Sequence, residues 1–159
     1  MRTKSIFILI CLFALNLGYS QTEKIDLKEL LKMTNQQRAK YGKKATSKRK
    51  GAEPLVWNQT LADAAMEQAK FLIKKNKLSH TGAKGSTVGI RVKKLGYQWI
   101  AVGENLAMGQ ITLQEVIKDW MNSPGHRRNI LEPAFTEFGA AVVESSKGQL
   151  IWVQVFGSK

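Results

Sequence analysis

The chain has 159 residues, among them one cysteine and two histidines, and its 25 basic and 12 acidic side chains give a formal net charge of +13. This length suits one domain built around a single continuous core. One cysteine excludes an intramolecular disulfide, so packing must hold the fold together. The charge bears on solubility and partners rather than on the fold.

Residues 1–20 have the composition of a secretory signal peptide. A basic start is followed by an apolar run from Ile6 to Leu17 and by small residues up to Ser20. The run has 12 residues, fewer than the ~18 that a membrane span needs. Cys11 lies inside the run after an isoleucine, which disfavours a lipoprotein signal. We predict cleavage after Ser20, leaving an exported domain, residues 21–159, whose net charge is +11 because the signal carries two basic residues.

The densest positive charge lies in a segment that contains small polar residues and no aromatic ring. This basic cluster consists of Lys43, Lys44, Lys48, Arg49 and Lys50. Without an aromatic ring to stack on bases, nucleic acid is not expected as a partner. For an exported protein the charge favours anionic lipid headgroups or acidic cell-wall polymers. A solvated surface loop without a partner is the alternative.

Helix signals come first along the mature chain. Asp26 followed by Glu29 forms a capping-box pattern, and leucines and alanines at helical spacing continue until near Gly42. Pro54 excludes helix immediately before it. Asn58 then caps a second helix that carries alanines and leucines at i, i+4 spacing. The small alanines predict close packing of this helix.

The middle of the chain alternates loops and short helices. His80 lies in a loop after the second helix, and a short helix is predicted from Thr87 to Lys94. A further loop is predicted to carry Gly103-Glu104-Asn105. Thr112 opens another capping-box pattern, and Ser123 before a proline is suited to cap a short helical turn.

A β-hairpin is predicted near the end of the chain. Strands starting at Phe138 and at Leu150 flank a Ser145–Gly148 turn. In the second strand Trp152 points to one face and Val153 to the other, and both faces are apolar. Such a strand needs cover on both sides. The sequence therefore predicts an α/β fold, a three-layer α-β-α sandwich with a small, mainly antiparallel sheet.

Six short motifs, in order, resemble those of the CAP superfamily of cysteine-rich secretory, antigen 5 and pathogenesis-related proteins, which share the SCP domain. They are Asn35-Gln36-Gln37-Arg38, Pro54-Leu55-Val56-Trp57, Leu78-Ser79-His80, Gly103-Glu104-Asn105, the block from Trp120 to Leu131, and Trp152-Val153-Gln154-Val155-Phe156-Gly157. The resemblance covers roughly residues 27–157, and the block from Trp120 is similar to the short bacterial type. It implies the α-β-α sandwich and a cleft that in many members collects two histidines and two glutamates and holds a divalent cation.

The resemblance assigns candidate cleft residues. His80 matches the first histidine, Glu104 the first glutamate and His126 the second histidine, whereas Ser123 stands where other members have the second glutamate. Asn105, beside Glu104, and Ser123 complete the predicted ligand cleft. His80, Glu104 and His126 are the candidate metal ligands, with zinc the candidate cation.

Two imidazoles and one carboxylate would suit zinc with one open position for water. The alternative is that His80 and His126 hydrogen-bond to Glu104 or to the backbone and fix loops. Ser123 beside His126 suggests a hydrolase, but no aspartate in that segment could orient the imidazole. We therefore predict no catalytic residue and assign Ser123 to a helix cap.

The remaining conspicuous residues are assigned to structure. Trp57, Trp120, Trp152 and Phe156 are predicted core residues. Trp99 is a candidate to line the cleft. Asn35, Arg38 and Asn129 are expected to tie loops to helices through hydrogen bonds.

The functional prediction is a secreted, monomeric, non-enzymatic binding module whose cleft holds a divalent cation or a small ligand such as a lipid. One alternative is a metal-dependent hydrolase that uses a cation-bound water. Another is a surface or cell-wall protein that binds polyanions through its basic charge alone.

Overall fold

The computed structural model describes residues 25–41 and 51–159. The predicted signal peptide and the basic cluster lie outside the described residues. The helices in the described part of the chain are all too short or too polar to cross a membrane.

Five helices and four strands make up the described chain. In order they are α1 Leu27–Tyr41, β1 Val56–Trp57, α2 Gln59–Lys75, α3 Val88–Lys94, β2 Ala101–Met108, α4 Leu113–Asn122, α5 Pro124–Leu131, β3 Glu137–Glu144 and β4 Leu150–Ser158, with one 3₁₀ turn, Ala83–Gly85, between α2 and α3.

The strands form one mixed sheet in the order β1-β3-β4-β2. β3 and β4 are the predicted antiparallel hairpin, β2 runs antiparallel to β4, and the two-residue β1 runs parallel to β3. β2 is therefore an edge strand, and it carries the candidate cleft residues Glu104 and Asn105.

Side chains of β4 alternate between two separate apolar clusters, as predicted. Trp152 and Phe156 enter a cluster with residues of α1, α4 and α5, including Trp120, whereas Val153 and Val155 enter a cluster with residues of α2 and α3. Helices thus cover both faces of the sheet, and the predicted α-β-α sandwich is confirmed. Trp57 is only half-buried and packs on the rim of the first cluster.

Beyond α1, three of the predicted helix caps are formed. The Oδ1 of Asn58 accepts a hydrogen bond from the N–H of Leu61 at 3.2 Å, and the Oγ1 of Thr87 accepts one from the N–H of Ile90 at 3.4 Å. Thr112 forms both halves of a capping box. These local bonds satisfy helix N–H groups that have no partner within the helix.

Two capping predictions need correction. Asp26 does cap α1, accepting from the N–H of Lys28 at 2.8 Å, but Glu29 pairs with Lys32 at 3.0 Å instead of completing a capping box, because Lys32 is a charged partner nearly one turn ahead. Ser123 occupies the position before α5 as predicted, but its hydroxyl makes no capping hydrogen bond.

The predicted loop carrying Gly103-Glu104-Asn105 is wrong, because these residues lie in the middle of β2. Their low strand propensity is outweighed by eight paired positions with β4. Strand β1 was also not predicted, since two residues give no alternating pattern.

Helix α2 approaches β3 more closely than a side chain would allow. A Cβ at Gly139 would lie 2.1 Å from the backbone nitrogen of Ala62. The contact explains the alanines of α2, of which Ala64, Ala65 and Ala69 have no exposed surface. Close packing of this helix is confirmed.

Arg38 joins segments that are far apart in the chain. Its buried guanidinium donates to the carbonyls of Glu53, Ile130, Glu132 and Phe135 at 2.7 to 3.0 Å. Burial lowers the pKa of Arg38 to about 10, so it remains charged at neutral pH. The expectation that Arg38 ties loops to a helix is confirmed.

Candidate functional site

The candidate site is organised by two consecutive residues of the edge strand β2. Successive side chains of a strand point to opposite faces. Glu104 therefore points toward the layer of α2 and α3, and Asn105 toward the layer of α1 and α5. Both side chains are buried.

The Glu104 carboxylate is shared between a histidine and an arginine. Oε1 lies 2.8 Å from Nδ1 of His80, and Oε2 forms an ion pair with the guanidinium of Arg91. The side chains of Glu104 and Arg91 are 2% and 1% exposed. Each charge thus compensates the other in a site with little water.

His80 is the exposed end of this chain of contacts. Its side chain is 63% exposed, although Glu104 beneath it is buried. Its backbone is also held, because Gln68 of α2 donates to the carbonyl of Ser79 at 2.6 Å. The hydrogen bond that His80 donates to Glu104 raises the pKa of His80 above 6.5, against the opposing effect of partial burial. Nδ1 faces Glu104, so Nε2 is the nitrogen that a ligand would meet.

His126 approaches from the opposite layer of the sandwich. It lies near the start of α5, and burial followed by the charge of His80 lowers its pKa below 6.5. Asn105 fixes this end of α5 by donating to the carbonyl of His126 at 3.1 Å.

Asn105 belongs to a buried network of amides. Its Nδ2 donates to Oε1 of Gln154 at 3.1 Å, and its Oδ1 accepts from Asn129 at 2.9 Å. Gln154 in turn donates to the hydroxyl of Thr34 at 3.2 Å, and Asn129 also donates to the carbonyl of Glu104 at 3.1 Å. The network joins α1, α5, β2 and β4, so Asn105 supports the cleft from within.

Ser123 starts the helix that carries His126. Its carbonyl accepts from the N–H of Arg127 at 2.8 Å, and its half-buried hydroxyl has no hydrogen bond to His126 in the described structure. The arrangement supports α5 and supplies no activated nucleophile.

Sequence reasoning missed Arg91 and Gln154. Arg91 lies in the apolar run Val88–Val92, and Gln154 is the one polar side chain among the apolar residues of β4 before Gly157. The available signal was a charged or amide side chain at a position whose neighbours in the sequence are apolar and buried. Periodicity could indicate that each would be buried but not which partner it would meet.

The fold is that of a known family. Residues 31–156 match the family model of the cysteine-rich secretory protein family, CAP. The protein belongs to the CAP family. The resemblance seen in its motifs is thus confirmed.

This CAP protein is 37% identical over 132 residues to YkwD of Bacillus subtilis (strain 168), covering 83% of this chain and 47% of YkwD. It is also similar to the structure of an extracellular SCP-domain protein of Bacillus anthracis, with 26% identity, a TM-score of 0.71, and coverage of 83% of this chain and 40% of that one. The chain therefore spans about half the length of these relatives, or less.

A relative of similar length is an outer surface protein of Borrelia burgdorferi. The two chains are 28% identical with a TM-score of 0.69, and the match covers 86% of this chain and 97% of the other. A more distant structure, described as NaASP2 with Zn²⁺, is 15% identical with a TM-score of 0.58 and covers 89% of this chain and 82% of that one. At that identity the likeness shows the fold alone.

A three-ligand metal site does not fit the CAP cleft of this chain. Across residues 25–41 and 51–159, no group of three His, Cys, Asp or Glu side chains is placed to hold an ion. Both oxygens of Glu104 are engaged, one by His80 and one by Arg91. Without Glu104, two imidazoles remain, one fewer than the three protein ligands of a catalytic zinc site.

Proposed function

We propose that this CAP protein is an exported, non-enzymatic binding module that takes a small ligand at the cleft of His80, Glu104 and His126. The observation that carries the proposal is an exposed imidazole held by a buried ion pair. Burying Glu104 and Arg91 costs desolvation energy. That cost is understandable if the pair holds the His80 ring in one orientation for a ligand.

Export is supported by the signal-peptide pattern of residues 1–20. It is also supported by relatives described as an extracellular protein and an outer surface protein. Both lines of support are independent of the cleft.

The chemistry of the cleft favours a ligand with an anionic group, such as a lipid headgroup. Glu104 raises the pKa of His80, so the ring becomes a cation at mildly acidic pH. A protonated imidazole is a donor at both nitrogens, and Nε2 would bond to a phosphate or carboxylate oxygen. Ligand affinity should then increase as the pH falls through the pKa of His80.

A divalent cation is a second candidate ligand, since the charge of His80 contributes to lowering the pKa of His126, as expected of two nearby imidazoles. With only two imidazoles to coordinate it, the cation is expected to bind weakly, and protons would compete for both rings. The hydrolase alternative needs a cation-bound water, so it depends on this weaker candidate. Binding of polyanions through charge alone would need none of the cleft residues.

Histidine ring NMR tests the proposal directly, because the chain contains only two histidines. Soluble short-chain phosphatidylglycerol, kept below its micelle concentration, should shift the His80 ring signals at pH 6 and much less at pH 8. His80→Ala should abolish binding. Zinc chloride added after chelation should shift both rings if the cation candidate holds. No shift by millimolar lipid, or equal binding by His80→Ala, would contradict the lipid-type ligand.

A further inference from the structure

We propose that a second surface, on the outer side of α3 and the turn after it, docks this protein onto an anionic lipid bilayer. The Trp99 surface consists of Ile90, Trp99 and Ile100. It contains none of the cleft residues His80, Glu104 and His126, and the proposal goes beyond the ligand proposed there.

The Trp99 surface exposes large apolar side chains. Ile90, Trp99 and Ile100 are 55%, 44% and 78% exposed. Their exposure keeps apolar surface in contact with water, which is unfavourable for the folded protein. A patch of exposed large apolar side chains marks an interaction site, whereas single exposed ones are ordinary.

The indole of Trp99 is fixed in place by α3. Its Nε1 donates to the carbonyl of Gly89 at 3.2 Å. The ring lies so close to Gly89 that a Cβ there would be 2.9 Å from its Cζ2 atom. Ile90 is the next residue of α3, and Ile100 directly follows Trp99 in the chain, so we group the three exposed side chains as one surface. A preorganised indole loses little conformational freedom on binding.

Charge beside the Trp99 surface points to an anionic bilayer as the occupant. Residues 84–103 contain four basic side chains and no acidic one. Arg91 is used within the cleft, but Lys84, Lys93 and Lys94 are exposed. Among them only Lys94 has a carboxylate partner in the described structure, the half-buried Glu67 at 3.3 Å.

These residue types suit the interface of a membrane. Tryptophan is enriched at the headgroup level, and isoleucine side chains enter the acyl boundary. Each lysine close to an anionic surface strengthens binding about fivefold. The Trp99 surface therefore combines an interfacial ring, two isoleucines and a basic flank.

Ile111 is a matched control for the exposed isoleucines of the Trp99 surface. Ile111 is 68% exposed, close to the 78% of Ile100. It lies in the turn before α4, in a shallow depression that also contains Glu115 and Asp119. An exposed isoleucine beside carboxylates should not enter an anionic bilayer.

The test is cosedimentation of residues 21–159 with vesicles of phosphatidylglycerol and phosphatidylcholine, compared with phosphatidylcholine alone. Binding should require the anionic lipid and weaken at high salt. Ile100→Ser should weaken it at least ~10-fold, since much apolar surface leaves the bilayer. Ile111→Ser should leave it unchanged. Lys93→Ala should weaken it about fivefold.

Fluorescence gives a second measurement on folded protein. Trp120 and Trp152 are buried, so Trp99 is the most exposed indole. Brominated lipids should quench emission on binding, and the conservative variant Trp99→Phe should remove most of this quenching. Circular dichroism should confirm that each variant is folded.

Two results would overturn the proposal. The first is that Ile100→Ser leaves vesicle binding unchanged while neutralisation of the basic cluster abolishes it. The second is that the protein does not bind vesicles but self-associates, and that Ile100→Ser removes the self-association. This result would assign the surface to a second copy of the chain. His80→Ala should retain vesicle binding, so failure at the cleft and failure here are distinguishable.

Discussion

Replacing Glu104 by glutamine should damage both the stability and the electrostatics of the cleft. The amide keeps the size of the carboxylate and can still accept a hydrogen bond from His80. It removes the negative charge, however, and leaves the guanidinium of Arg91, which is 1% exposed, without a counter-charge. An uncompensated buried charge is the dominant expected effect.

The structure sets the magnitude. Breaking a buried ion pair by removing one partner costs about 3–5 kcal/mol of unfolding free energy. Glu67→Gln is the matched control, because its pair with Lys94 lies at the surface, where the side chains of Lys94 and Glu67 are 68% and 37% exposed. An exposed pair contributes less than about 1 kcal/mol. The two glutamate-to-glutamine changes should therefore differ severalfold.

The pH dependence adds a smaller effect with a defined sign. The pKa of folded His80 is raised above 6.5. The stabilisation from its protonation is therefore full below 6.5 and is lost as the pH rises through the folded pKa. Glu104→Gln should remove this additional stability at acidic pH. Because the His80 ring is 63% exposed, solvent screens the contribution, and loss of the Arg91 pair should dominate at every pH.

Urea unfolding at pH 6 and pH 8, with histidine NMR titration of the folded variant, measures both effects. Glu104→Gln combined with Arg91→Met should recover part of the lost stability, because no buried charge remains. A loss below about 1 kcal/mol, similar to Glu67→Gln, would refute the buried-pair argument. An unchanged His80 pKa would refute the assigned hydrogen bond.

Three further predictions follow from the fold and the site. Gly139→Ala should cost at least ~1–3 kcal/mol by forcing α2 off the sheet, whereas Gly125→Ala, which has open space around it, should be neutral or stabilising in the same urea experiment. Arg38→Met should lower the free energy of unfolding by about 3–5 kcal/mol, since it leaves buried carbonyls without donors. Changing an exposed lysine of α1 to methionine should have little effect, and equal losses for the two variants would contradict the argument. In one NMR titration His80 should titrate above 6.5 and His126 below it, and the opposite order would contradict the geometry.

Local signals predicted the helices and the hairpin well. Asn58, Thr87 and Thr112 fix helix starts through bonds that span three residues, so the sequence contains the whole interaction. The apolar alternation of β4 predicted helices on both faces for a similar reason. Strand β2 was missed because its central Gly-Glu-Asn becomes a strand only through pairing with β4.

The candidate site was predictable only in part. His80 and Glu104 were assigned together from their motifs, but Arg91 was not, although it binds the same carboxylate. No spacing rule links positions 91 and 104, because their contact depends on how α3 lies over β2. Trp99, a candidate to line the cleft, packs on Gly89 and is exposed.

Arg38 gives this domain a cross-link that needs no oxidant. One guanidinium connects α1 to carbonyls up to 97 residues away in the chain, a span over which many secreted domains use cystine. Hydrogen bonds form as soon as the partners meet, whereas disulfides require oxidation and reshuffling over seconds to hours. A domain held in this way can fold equally well in a reducing or an oxidising compartment, and a thiol reductant should leave its melting temperature unchanged.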